Sequence, residues 1–171
     1  ALNEEELAAV RALELRDEGL SKARDLFVFC CYTGLAYADM DVFDFSKDVV
    51  MVHGHYYIDK KRVKTGTKYY TPILPPAMAI LERYDYQLPR ITQQAYNRLL
   101  KCIGSLIKTK KNLSSHIARY TFATTVLLVH EVPIESVSKM MGHTSIQITQ
   151  VYAKILNSSI EKQAERLANI L

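Results

Sequence analysis

MGHTSIQITQVYAK, residues 141–154, sets a histidine directly after a glycine and a tyrosine nine residues beyond that histidine. A Gly-His pair is often only a helix exit, and one tyrosine among 11 more often packs than reacts. The stretch therefore gains meaning from its neighbours. HIARYTFATT, residues 116–125, places His116 and Arg119 at i and i+3 on one helical face, close to an N-terminus whose free amides favour an anion. VKTGT, residues 63–67, holds Lys64 in a turn between β-rich segments. Singly, each has an ordinary reading as an exposed pair, a cap, a packing ring or a solvated lysine.

The surrounding chain reads as mainly helical with one inserted sheet. Asn3 and Glu6 form a capping box for a first helix that Gly19 would stop. Ser21 is placed to cap a second helix carrying the apolar run LFVFCC, and Thr33-Gly34 ends it. A third helix starts near Asp39. From Asp48 to Ile73 the segments VVMVHG, HYYID and KYYTPIL predict about three antiparallel strands. Pro75 and Pro76 open a short helix. Tyr96, Leu99, Leu100, Ile103, Leu106 and Ile107 then recur at helical spacing. Ser114 or Ser115 caps the next helix through about Val129, Pro133 opens another, and residues from Ile155 to Leu171 form a last amphipathic stretch. The fold class expected is α+β, mainly α-helical, with a small three-stranded antiparallel sheet, all within one domain spanning 1–171.

Composition narrows the function classes. At 171 residues the chain can bury roughly two thirds of its unfolded surface. Its apolar runs are too short for a membrane span, so a cytoplasmic location, associated with the nucleoid, is expected. Cys30, Cys31 and Cys102 lack metal-ligand spacing and read as reduced core residues, and no metal or cofactor is expected. The net charge of +4 is compatible with nucleic acid. Lys60, Lys61, Arg62, Lys64 and Lys68 crowd one segment, and Lys108, Lys110 and Lys111 another, as candidate DNA contacts.

Taken in order, the polar clusters resemble the catalytic domain of the tyrosine recombinases, or phage-type integrases. His116 and Arg119 match the family's His-x-x-Arg motif, Gly142-His143-Thr144-Ser145 followed by Tyr152 its Gly-His-x-Ser…Tyr motif, and Lys64 its hairpin lysine. The resemblance covers about residues 21–157. It implies that Tyr152 attacks a phosphate of double-stranded DNA to form a 3′-phosphotyrosine, that Arg119 grips the phosphate, that His116 and His143 hydrogen-bond or move protons, and that Lys64 protonates the leaving 5′-oxygen. It also implies an N-terminal DNA-clamping domain outside these residues. The last stretch, with Ile160, Leu167, Ile170 and Leu171, would either pack on its own domain or dock into a further protomer.

One family position is altered. YTGLAYADM, residues 32–40, carries Ala36 where most members have the first of two phosphate-clamping arginines, and Ala38 in place of a serine, while Asp39 keeps the acid. Losing one such donor commonly costs on the order of 100- to 1,000-fold in rate. Arg24 and the Lys60–Arg62 cluster are the candidate substitutes. The competing readings are a DNA-binding module with weakened catalysis and a strand-relaxing enzyme of the type IB topoisomerase kind. Tyr120, where the family often has His, is expected to support its helix more than the reaction.

Overall fold

A computed structural model describes residues 1–152 and 156–171, with side chains described from Ile160 in the second segment. The helix start expected at Ile155, the motif's Ala153 and Lys154, and the side chains of 156–159 lie outside the described residues.

Helix α1 (Glu4–Ala12) opens on the expected capping box, Asn3 accepting from Glu6 N at 2.8 Å and Glu6 from Asn3 N at 3.0 Å. It ends well before Gly19. The Arg24 guanidinium explains this, because Nη1 donates to the carbonyls of Val10 at 3.2 Å and Leu13 at 2.7 Å, satisfying acceptors that a longer helix would use itself. Asp17, rather than Ser21, caps α2 (Glu18–Cys31), accepting from Leu20 N at 2.8 Å.

Helix α2 is the axis of the domain. Leu26, Phe27, Phe29 and Cys31 are fully buried on it, and the later helices α5 (Pro75–Arg83), α6 (Gln93–Leu106) and α7 (Ser115–Thr121) pack against it. Two short helices, α3 (Tyr37–Asp41) and α4 (Phe45–Asp48), lead to the sheet. Strands β1 (Val49–Val52), β2 (His55–Lys61) and β3 (Lys68–Pro72) pair antiparallel in chain order. Alternation turns Ile58, Tyr69 and Thr71 inward, and β3 lies against α8 (Ile134–Met141).

The expected α+β architecture is therefore present, with differences at particular residues. The helix begun at Ser115 does not run evenly to Val129: it widens to a π-helix at Phe122–Leu127 and tightens to a 3₁₀ turn at Leu128–His130. Thr121 and Thr124 donate to the carbonyls of Ile117 and Tyr120, and this competition accompanies the change of pitch. Cys30 and Cys31 are buried, but Cys102 is exposed, because the buried stripe of α6 runs through Tyr96, Leu100 and Ile103. Helices α9 (Ile146–Gln150) and α10 (Leu156–Ile170) complete the described chain. Among the described residues, no helix is long and apolar enough to cross a membrane.

Arg24 is thereby a clamp between α1 and α2, with Nε also 2.7 Å from Asp25. Arg24→Ala leaves the α1 carbonyls without this donor, and a loss of about 2 kcal/mol of unfolding free energy is expected. Urea titration of the two proteins measures it.

Candidate active site

Arg119 sits on α7 with its side chain directed into the junction of two helix exits. Nη1 donates to the Gly34 carbonyl at 2.5 Å and Nη2 to the Met141 carbonyl at 3.1 Å. These bonds fix the guanidinium while leaving the rest of its donor fork for a ligand. Gly34 can pack this turn against Phe122 because it has no side chain. Its φ is +76°, and a Cβ there would fall 2.4 Å from a ring carbon of Phe122.

The second motif folds around the same point. Gly142, with φ +67°, reverses the chain after α8 and carries His143 inward. His143 Nδ1 lies 2.6 Å from Thr149 Oγ1, and Thr149 is fully buried. The His143 ring stacks near-parallel to that of Tyr152, with centroids 6.2 Å apart. On the other side Tyr120 meets Tyr152 edge-on at 4.9 Å and His116 edge-on at 4.6 Å. His116, Tyr120, Tyr152 and His143 thus form one continuous ladder of rings. Tyr120 belongs to this ladder as well as to its helix; its i, i+4 offset from His116 was the signal in the sequence.

Charge and burial set the protonation of the ladder. Burial raises the Tyr152 phenol above its ordinary value, with Tyr120 adding to this, while Arg119 and Arg62 act in the opposite direction. Burial, then Arg119 and Arg62, lowers His143 to about 4. His116 is lowered by burial, then by Arg119, Lys64 and Arg62. Both imidazoles are therefore neutral at pH 7 and able to accept a proton. Burial and Arg62 bring Arg119 down to about 10, which still leaves it charged.

The candidate cations divide into distinct groups. Lys64 is exposed in the turn between β2 and β3, and its charge is felt at His116. Arg62, at the start of that turn, folds inward, so that a Cβ on Gly142 would lie 2.8 Å from Arg62 Cδ. Its Nε is 3.7 Å from Asp39 Oδ2. Lys60 is held by Asp48 at 2.9 Å and by the Val42 carbonyl, and Lys111 by Glu6 and the Ala1 carbonyl. Lys61 and Lys68 face each other across the β2–β3 ladder, exposed, as are Lys108 and Lys110. Arg24 is corrected as a substitute cation, since its donors are committed to Asp25 and to the end of α1. Ala36 caps α3 through its backbone position alone, with no side-chain bond. Among the described residues no three His, Cys, Asp or Glu side chains gather as metal ligands.

The chain matches the phage integrase family over residues 8–158 and belongs to it. A tyrosine recombinase of Agathobacter rectalis is 34% identical over 79 residues, covering 46% of this chain and 24% of that protein. Tyrosine recombinase XerD of Staphylococcus aureus strain Mu50 is 35% identical over 72 residues, covering 42% and 24%. The matched stretches thus span about a quarter of these curated relatives. The fold is shared with the XerH site-specific recombinase in a post-cleavage complex with palindromic difH (TM-score 0.72, 19% identity, covering 95% of this chain and 52% of XerH). It is also shared with the catalytic domain of bacteriophage HP1 integrase (TM-score 0.61, 18% identity, 94% and 92%).

Because His143 titrates near 4 in the folded chain against 6.5 when unperturbed, the unfolded state binds more protons between these values. Stability is expected to fall as pH drops from 6.5 towards 4, and His143→Gln to flatten that part of the curve. Thermal unfolding across this pH range checks it.

Proposed function

We propose that residues 1–171 are the catalytic domain of a site-specific recombinase that cuts and rejoins double-stranded DNA through Tyr152. The observation that carries this reading is the convergence of Arg119, two neutral histidines and Tyr152 at one point, beside a turn that carries Lys64.

In the proposed step Tyr152 Oη attacks a backbone phosphorus while a neutral imidazole of the His116 and His143 pair takes the phenolic proton. A new phosphorus–oxygen bond to tyrosine forms as the bond to the 5′-oxygen breaks, and Lys64 gives that oxygen its proton. The strand is left with a free 5′-hydroxyl and a 3′-phosphotyrosine. Bond count is conserved, so the reverse attack rejoins the strand without an external energy source. Arg119 binds the nonbridging oxygens, where charge builds in the transition state. The XerH comparison, a post-cleavage complex with a DNA substrate, is in keeping with this reading.

DNA contacts would come from Lys61, Lys68, Lys108 and Lys110, whose ammonium groups are exposed, with Lys60 and Lys111 contributing only after giving up their intramolecular partners. Ile160, Leu167 and Ile170 on α10 are exposed at 61%, 48% and 69%. That exposure favours capture of the C-terminal helix by a further protomer on DNA over packing against its own domain. The place of action would be the nucleoid.

The test is a pool of randomised duplexes, each nicked, with the scissile strand labelled at its 5′ end. A covalent adduct is expected with the wild-type chain and none with Tyr152→Phe, while Arg119→Ala should lower its rate by about 100- to 1,000-fold. Retention of duplex without adduct supports the binding module instead. Relaxation of plasmids irrespective of sequence supports the topoisomerase-like reading.

A further inference from the structure

We propose that Arg62 supplies the second phosphate-gripping guanidinium that Ala36 cannot, and that Asp39 is the positioning residue that docks it. The inference rests on the strand-cleavage reading and adds a residue to it.

Ala36 offers only a methyl group, so a second cation must enter from another element. Arg62 has the required origin. Its backbone is pinned by Arg62 N donating to the Thr67 carbonyl at 2.9 Å and by its own carbonyl accepting from Gly66 N at 2.8 Å. The side chain then runs inward over Gly142 and is only 13% exposed. It shares a narrow seam with Arg119, Gly34, Tyr69 and Asp39. A solvated arginine at a hairpin turn would ordinarily extend its head into water.

The electrostatics of the seam call for an anion. Two guanidinium groups face one carboxylate, and the charge of Arg62 is among the causes that lower Arg119. Arg62 Nε is buried and has no hydrogen-bond partner among the described residues, since Asp39 at 3.7 Å is an ion pair too long for a hydrogen bond. An uncompensated charge and an orphan donor are both answered by a phosphate oxygen arriving between the two arginines.

Asp39 holds this geometry from beneath. It is 2% exposed; Oδ1 accepts from Val63 N at 2.8 Å, and Oδ2 faces Arg62. One carboxylate therefore fixes both the cation and the backbone that leads to Lys64. The phosphate grip and the proton donor are thus carried by one hairpin.

The test measures single-turnover adduct formation by the full chain on the randomised nicked duplexes, with duplex retention on a gel and unfolding temperature measured in parallel. Arg62→Gln is expected to slow the adduct by about 100-fold or more with retention and unfolding temperature preserved, and Arg62→Lys to recover part of the loss. Ala36→Arg, added to Arg62→Gln, should restore a measurable rate by returning the cation from the α3 side. Asp39→Asn keeps an acceptor for Val63 N but removes the charge facing Arg62. It should slow the wild-type chain yet have little effect once Ala36→Arg and Arg62→Gln are present. An undiminished rate in Arg62→Gln overturns the role of Arg62, and an equal loss from Asp39→Asn in both backgrounds overturns the positioning role. No adduct from the wild-type chain instead removes the strand-cleavage reading itself.

Discussion

The two hydrogen bonds from Arg119 to the carbonyls of Gly34 and Met141 bring together three parts of the chain that are far apart in sequence. One bond reaches the turn that leaves the buried helix α2, the other the end of α8, and the arginine itself belongs to α7. Both acceptors lie at or beside helix exits, where carbonyls lack intrahelical partners, so the guanidinium satisfies them while being immobilised by them. A desolvated arginine needs such partners to be tolerated. The site is thus built from groups that the fold has to pair in any case.

That arrangement determines the chemistry of its neighbours. Burial, reinforced by the fixed positive charge, disfavours protonation of His116 and His143, while burial disfavours ionisation of Tyr152. The Tyr152 phenol is consequently favoured in its neutral form, between Tyr120 and a neutral His143. In the proposed reaction, the negative charge of an entering phosphate would offset the guanidinium groups and make the same imidazoles easier to protonate. Binding and proton transfer would thus be coupled through electrostatics in the proposed reaction.

Much of this was legible in the sequence because it depends on local rules. Asn3 with Glu6, the β-branched segments and the Gly142 exit each follow from spacing over a few residues, and each is present in the fold. The residues His116, Arg119, His143 and Tyr152 each have an ordinary local reading and are singled out by their joint resemblance to a known family, and the structure brings them together. What could not be read depended on distant partners. Arg24 looked free until the carbonyls of Val10 and Leu13 were found against it, and Lys111 until Glu6 was. The early end of α1 has the same origin. Arg62 was one residue in a basic run, and nothing in that run distinguishes a side chain that turns inward over a glycine 80 positions away from one that stays in water.

Ala36 and Arg62 also bear on how the active site is held together. An arginine on the turn after α2 would be anchored to the most buried helix of the domain, independent of the sheet. A cation on the β2–β3 turn is anchored instead through Val63 N, Asp39 and the space above Gly142, all of which require the hairpin to lie down on the core. Residues 63–66 are exposed, and exposed turns open at low free-energy cost. On the proposed reading, carrying the charge on the hairpin rather than on the core would make the grip conditional, with phosphate, Asp39 and hairpin stabilising one another. Because the bound anion would strengthen the docking that creates its own site, a DNA phosphate would, on the proposed reading, take part in assembling that site.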